Sequence, residues 1–104
     1  MKIDAGIDFP FQGYLDNIVR QIAMRFKPET NNKSLRAEVR FIIRRDGSIT
    51  SPVLSIASRD YGFDAEARGS VEAAGAMRAF GPLPAGYRDD VLPVTFSFVP
   101  GLIR

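Results

Sequence analysis

The clearest hydrophobic pattern in the chain lies between Gln12 and Pro28. Its apolar residues recur every three or four positions, the spacing of one helix face: Leu15, Ile18, Val19, Ile22, Ala23 and Phe26. Lys27 stands at the carboxyl end, where positive charge suits the helix dipole, and a proline cannot continue a helix. The spacing therefore predicts an amphipathic helix that begins at Gln12 and ends just before Pro28.

Residues 35–44 alternate between apolar and polar side chains. The apolar set is Leu35, Ala37, Val39, Phe41 and Ile43. The polar set is Arg36, Glu38, Arg40 and Arg44, and Ile42 is the one exception. This alternation predicts a strand with one face in the core and the other in water.

Asp46 and Gly47 mark a hairpin turn after this strand. A three-residue loop, residues 45–47, places Ile43 opposite Ile49, whereas a two-residue loop would turn Ile49 toward the arginine face. Glycine takes the left-handed conformation that the third loop position needs without steric cost. We therefore expect the three-residue loop.

Pro52 interrupts the second strand of the hairpin. Leu54 and Ile56 lie an odd number of positions after Ile49, so all three reach the core only if one extra residue is inserted. A bulge at the proline would insert it, because proline tolerates bulges and edge strands better than central strands. The alternative is a strand that ends at Thr50 and then restarts.

A second helix is predicted to begin near Phe63, with Asp60 as its cap. Its inner face is made of small residues after the first position: Phe63, Ala67, Ser70, Val71 and Ala74. Gly69 and Gly75 each weaken a helix by about 1 kcal/mol relative to alanine. Docking onto the sheet must therefore stabilise this helix.

After a proline-rich bend at residues 81–87, residues 91–99 alternate again, with Leu92, Val94, Phe96 and Phe98 on one face. The element order is α-β-β-α-β, which makes an α+β fold. If the third strand pairs with the first, the result is a three-stranded antiparallel or mixed sheet of order 2-1-3, with both helices on one face. We expect an N-terminal linker at residues 1–11 and one domain at residues 12–104.

This order leaves the third strand at an outer edge of the sheet. The strand carries no charge between its flanking prolines, Pro93 and Pro100, so nothing blunts it against pairing. An extended peptide of a partner would add there as a further strand. The predicted partner-binding residues are those of this edge: Val94, Thr95, Phe96, Ser97 and Phe98.

Two alternatives for this edge stay open. The N-terminal segment covers it, or a second copy of the chain does, since edge strands are commonly protected. Phe9 and Phe11 in that segment either pack on the first helix or exchange between the chains of a homodimer.

Composition narrows the chemistry of the chain. There is no cysteine and no histidine, which removes disulfides, thiolate metal sites and the usual general base. The candidate carboxylates are Asp60, Asp64, Glu66, Asp89 and Asp90. Most of them stand where helix caps and turns need them. We therefore expect no enzyme, no cofactor and no metal site.

A nucleic-acid interface is a further alternative, because Arg36, Arg40 and Arg44 share the wet face of the first strand. However, the sequence has no GxxG loop, and no aromatic residues stand among these arginines to stack on bases. The formal net charge is only +2. We therefore expect partners other than nucleic acid.

Four stretches taken together resemble the C-terminal domain of the TonB/TolA family: YLDNIVRQIAMRFKP, VRFIIRRDGSITSPVLSIAS, FDAEARGSVEAAGAMRAFGPLP and LPVTFSF. Their order covers roughly residues 12–98, which is more specific than any one motif. Two features depart from the family. Ser58-Arg59-Asp60 stands where serine-serine-glycine is common, and the tyrosine-proline motif of the TonB branch is absent.

The resemblance implies a periplasmic domain at the tip of a protein anchored in the inner membrane of a Gram-negative envelope. Through that anchor, which this chain does not contain, it would couple to a proton-driven motor. A TonB-like domain would bind outer-membrane transporters for siderophores or vitamin B12, with the last strand as the recruitment edge, and so transmit energy for uptake. A TolA-like domain would instead bind Tol-Pal components that maintain envelope integrity.

Overall fold

A computed structural model describes residues 2–4, 9–29 and 32–100 of the chain. Its elements, in chain order, are β1 (Lys2–Asp4), α1 (Gln12–Ala23), β2 (Ala37–Arg44), β3 (Val53–Ile56), α2 (Tyr61–Ala76) and β4 (Val91–Phe98). The predicted α+β class is confirmed. The predicted linker at residues 1–11 lies partly outside the described residues, as do residues 101–104 of the predicted domain.

Helix α1 begins at the predicted residue and ends earlier than predicted. It runs from Gln12 to Ala23, and not to the residue before Pro28. Beyond it, the amides of Arg25 and Phe26 donate to carbonyls three residues back, so the chain tightens into a final narrow turn. The proline disfavours helical geometry at Lys27, the residue before it, so the helix cannot continue through that position. Phe26 remains in the core.

The hairpin loop is the predicted three-residue turn. Ile43 and Ile49 form a bridge, and the Arg44 amide donates to the Ser48 carbonyl at 2.7 Å. Gly47 takes a left-handed φ of 89°. A Cβ on this glycine would also lie 2.9 Å from backbone atoms of Gly81, so glycine is required there for two reasons.

The extra residue predicted near Pro52 is present. From the Ile43–Ile49 bridge to the Arg40–Val53 pair, β2 advances three residues while the opposite strand advances four. The strand is also interrupted over residues 50–52, so both interpretations of this stretch describe part of the structure.

A second irregularity, at Ser55, was not predicted. Leu54 pairs with Val39, but Ile56 pairs with Glu38, so Ser55 is an additional unpaired residue. Leu54 packs against the core as expected. Ile56 is turned outward and is 44% exposed, and its predicted place in the core is therefore wrong.

The sheet has four strands, and the prediction of three is corrected. Their order is β1-β4-β2-β3, and every neighbouring pair is antiparallel. Strand β2 lies between β3 and β4, and β1 adds a new strand outside β4. The sequence analysis missed β1 because three residues are too few to establish a period.

Helix α2 begins at Tyr61, two residues before the predicted start. Its predicted cap is confirmed, since the Asp60 carboxylate accepts from the Phe63 amide at 2.9 Å. The predicted inner face is buried throughout. Gly75 lies against Ile49, and a Cβ on this glycine would meet the Ile49 side chain at 2.3 Å. The glycine therefore permits close docking of the helix on the hairpin.

One hydrophobic core fills the space between the helices and one face of the sheet. It includes the inward residues of β2 and β4 together with those of both helices. Phe26 joins the two layers, with its ring centroid 5.4 Å from that of Phe63 and 4.8 Å from that of Phe98. The opposite side of the sheet, which we call the open face, carries the polar residues of the strands.

Candidate interaction site

Strand β4 has two edges that differ in how they are paired. Its inner edge pairs with β2 along eight residues, from Val91 opposite Arg44 to Phe98 opposite Ala37. Its outer edge pairs with β1 over three, where Lys2–Asp4 lies opposite residues 95–97. The outer edge is therefore occupied by the chain's own N-terminal segment, which was one of the two alternatives raised by the sequence.

The five predicted site residues divide between two environments. Val94, Phe96 and Phe98 point into the core and are at most 2% exposed. Thr95 and Ser97 lie on the open face and are half-buried. Backbone N–H and C=O groups alternate between the two edges of a strand, so a partner at the outer edge would meet those of alternate residues and only the two small polar side chains.

The side chain of β1 that faces the core is Ile3. It lies opposite Phe96 and is half-buried against the core cluster. Its neighbours Lys2 and Asp4 are exposed. The segment thus has the alternation of an edge strand, with one apolar side chain covered and two charged ones in water.

A shallow groove of about 320 Å³ lies on the open face beside this edge. Its floor and walls are mainly apolar, and Asp4 and Arg40 contribute the charge. The other open-face residues that line it include Ile42, Val53, Pro93 and Thr95. The groove can therefore receive a small apolar group next to a charged one.

An aromatic cluster surrounds Phe9, shortly before the start of α1. The Phe9 ring lies 5.0 Å from Tyr87, 5.2 Å from Phe11 and 6.0 Å from Tyr14, measured between centroids. Phe9 is buried, so it packs on α1 and on the loop before β4, as one sequence alternative expected. It fixes the chain five residues after Asp4.

Burial in this cluster changes two tyrosine pKa values. Burial raises the pKa of Tyr14 from 10.0 to about 12, and its hydroxyl donates to the Gly81 carbonyl at 2.9 Å. Burial, followed by the charge of Asp89, raises the pKa of Tyr87, whose hydroxyl donates to the Val91 carbonyl. Both hydroxyls are therefore neutral hydrogen-bond donors at physiological pH.

The candidate carboxylates are spread over the surface and have structural contacts. Asp64 accepts from the Ser58 amide at 2.9 Å, and Glu66 accepts from the Lys27 amide at 2.9 Å. Asp90 forms an ion pair with Arg45 at 3.7 Å. The Asp89 carbonyl also accepts from that arginine. Within the described residues, no three metal-ligating side chains come together.

Two of the three candidate arginines have partners on the protein. Arg36 pairs with Glu38 at 3.3 Å, and Arg44 donates to the Ile49 carbonyl at 3.0 Å. Arg40 lies in the groove described above. These contacts explain the arginines as parts of the sheet surface and do not require a nucleic acid.

A comparison with protein families now identifies the chain. The family model described as TonB C terminal matches residues 11–98. The chain belongs to the TonB C-terminal family. The resemblance drawn from the sequence motifs is therefore confirmed, and the matched span runs from the start of α1 to the end of β4.

Searches of the curated proteins and of the solved structures returned no match. No helix within residues 2–4, 9–29 and 32–100 is long and apolar enough to cross a bilayer. The family assignment supports an interaction domain of the TonB type.

The sequence analysis missed the residues of β1 as part of this site. Lys2-Ile3-Asp4 has the polar-apolar-polar alternation of a strand, but so short a pattern occurs by chance in many loops. The deciding signal is tertiary. Only the position of the outer edge of β4 shows that these three residues have a strand to pair with.

Proposed function

We propose that this TonB-type domain binds an extended segment of an outer-membrane transporter by strand addition at the outer edge of β4, and that it transmits force through this contact to drive uptake. One observation carries the proposal. A short extended segment, β1, already pairs antiparallel with Thr95, Phe96 and Ser97. The edge is thus able to accept a strand, and a partner would replace β1 there.

Displacement of β1 requires little free energy compared with unfolding of the domain. A backbone hydrogen bond contributes about 1 kcal/mol net, and β1 pairs over only three residues. The β2–β4 ladder is longer and lies on the core. Local opening of short edge elements is the cheapest motion available to a folded domain. We therefore expect β1 to leave while β2 and β4 stay paired.

A strand contact suits a force-transmitting role. Several ladder bonds share a load applied along the strand, so the contact resists force briefly even at modest affinity. We expect a dissociation constant on the order of micromolar, equivalent to about −8 kcal/mol, as is usual for small transient interfaces. In this proposal the domain acts in the periplasm, coupled through a membrane anchor to a proton-driven motor.

The TolA-like alternative would place Tol-Pal components at the same edge. The matched family model is that of the TonB C terminal, which favours a transporter as the partner. The proposed partner is therefore a short extended segment that a transporter presents to the periplasm.

The test is a titration of the isotope-labelled protein with a synthetic extended peptide, followed by backbone amide shifts. We expect the largest shifts in Thr95, Phe96 and Ser97, together with loss of the cross-strand contact between Ile3 and Phe96. A control peptide with proline at its central position lacks one ladder donor and should bind much more weakly. Shifts confined to α1, or equal binding of the two peptides, would overturn strand addition.

A further inference from the structure

The pairing registers align charged residues in two rows across the open face. Lys2 of β1 and Glu38 of β2 both lie opposite Ser97 of β4. In the same way, Asp4 of β1 and Arg40 of β2 both lie opposite Thr95. Each row therefore places opposite charges on the two strands that flank β4, and the sign reverses from one row to the next.

The residues of β4 between these charges are small. Neighbouring strands lie about 4.8 Å apart, so residues on the two flanking strands are separated by about 10 Å at the backbone. Lysine and arginine are long enough to reach across a serine or threonine toward a carboxylate. Between the rows, Ile3, Phe96 and Val39 are aligned on the core side.

The two charged residues that β2 contributes to these rows differ in their contacts. The Glu38 carboxylate is held by Arg36 at 3.3 Å and by the Ser55 hydroxyl at 3.3 Å, and its side chain is 16% exposed. Arg40 is exposed and lines the groove beside the outer edge. The contacts of Glu38 lie just before β2 and on β3, away from β1, whereas Arg40 shares its groove with Asp4. Arg40 is therefore the charged residue of β2 that a strand in the place of β1 would meet.

We propose that Arg40 selects the segment that pairs with β4 by its charge. The preferred occupant is an antiparallel extended peptide in which an aliphatic residue is followed by an acidic one, so that the acidic residue lies in the row of Arg40. Its aliphatic side chain covers Phe96, as Ile3 does. The chain's own Lys2-Ile3-Asp4 is the internal example of this pattern. For partner binding, the inference rests on the proposed function; for β1 itself, it does not.

The first experiment uses the full chain without any partner. The double variant Lys2→Asp with Asp4→Lys reverses both rows while keeping Ile3. Surface ion pairs contribute modestly, and like charges repel by similar amounts. We expect hydrogen-exchange protection of the β4 amides that face β1 to fall about twofold to fivefold. High salt should abolish most of this decrease, because it screens charges at the surface.

Rescue and control variants decide whether charge is the cause. Arg40→Glu combined with Asp4→Lys restores opposite charges in one row and should recover protection relative to Asp4→Lys alone. Arg44→Glu changes a charge on the same face outside both rows, since Arg44 lies opposite Val91. It should leave protection unchanged. Unchanged protection in the reversed variant, or failure of the rescue, would overturn the charge selection.

The second experiment compares two peptides that differ only in charge order, one centred on Lys-Ile-Asp and one on Asp-Ile-Lys. The protein should bind the first about fivefold to tenfold more tightly, and Arg40→Glu should reduce that ratio. Equal binding of both peptides at the β4 edge overturns charge selection of partners and leaves strand addition intact. If neither peptide binds, the result counts against the proposed function. The hydrogen-exchange experiment then still decides whether charge stabilises the pairing of β1 with β4.

Discussion

The two edges of β4 belong to one strand, yet they differ in length and support. The inner edge forms an eight-residue ladder with β2, whose inward side chains lie in the core. The outer edge forms a three-residue ladder with β1, in which Ile3 is the side chain that packs against the core. The same backbone is therefore held by a long ladder on one side and by a short one on the other, and the proposed docking would use the short one.

The largest expected effect on stability comes from a change in the core beneath β4, which supports both edges of the strand. Phe96 is fully buried, and its ring lies 4.8 Å from that of Phe98. Phe96→Ala should lower the free energy of unfolding by about 3–5 kcal/mol, because it leaves a cavity beneath the strand. Urea denaturation measures this, with Ser97→Ala as a control expected within about 0.5 kcal/mol. Equal effects of the two would show that the side chains of this strand do not support the core.

Two glycines of α2 test how closely this helix packs on the hairpin, at positions away from both edges of β4. Gly69→Ala has free space around the new methyl group and should stabilise the domain by about 0.5–1 kcal/mol. Gly75→Ala places its methyl against Ile49 and should be about 1–3 kcal/mol less stable than the first variant. Thermal or urea unfolding measures both. A Gly75→Ala variant as stable as Gly69→Ala would contradict the close approach.

The aromatic cluster around Phe9 should make the stability of the domain depend on pH. The pKa of Tyr14 is raised from 10.0 to about 12, so the folded state holds this proton more tightly than the unfolded state. The stabilisation is complete below about pH 10 and is lost as the pH rises toward 12. Tyr14→Phe should remove this dependence and also the hydrogen bond to Gly81, which contributes about 1 kcal/mol. Unfolding curves recorded from about pH 8 to about pH 12 measure this loss of stability.

The Tyr14 result needs a comparison with the second buried tyrosine, because burial also raises the pKa of Tyr87. Tyr87→Phe should remove a further part of the alkaline loss. If Tyr14→Phe leaves the loss of stability above pH 10 unchanged, Tyr14 is not the group responsible.

The smallest effect on stability should come from breaking β1 alone. Ile3→Pro removes a backbone donor and disfavours the ladder, yet β1 adds only three pairs to the sheet. We expect less than about 1 kcal/mol of change in unfolding free energy, together with tighter binding of an extended peptide because the competitor is weakened. Calorimetric titration measures the affinity.

A substitution elsewhere on the surface controls for effects that are not specific to β1. Met24→Ala changes an exposed residue after α1 and should alter neither quantity. Weaker peptide binding in Ile3→Pro would mean that β1 assists the partner and does not compete with it.

Much of the fold follows from local pattern. The apolar face of α1, the alternation along β2 and the three-residue loop ending at Gly47 all appear in the structure. Each of these signals is repeated over several residues or is forced by backbone geometry. The cap at Asp60 is likewise a local event between neighbours in sequence.

The errors fall where a long-range contact decides a short segment. Ile56 lies two positions after Leu54, so simple alternation places it in the core. The additional residue at Ser55 turns it outward. One unpaired residue of this kind leaves no signal in the sequence. Helix α1 ends at Ala23 although its apolar pattern continues to Phe26. The side chain stays in the core while the backbone tightens, so burial and helicity separate there.

The strand of the candidate site was predictable, and the pairing of its outer edge was not. The uncharged stretch of β4 predicts by itself an edge that can pair, because alternation and the absence of charge are properties of the sequence. Whether that edge is bare depends on where Lys2–Asp4 lies, and this is settled by the meeting of segments more than ninety residues apart. Pairing depends on register and distance in three dimensions. The sequence determined which strand can accept another, and only the tertiary structure decided that β1 occupies it and which charges stand beside it.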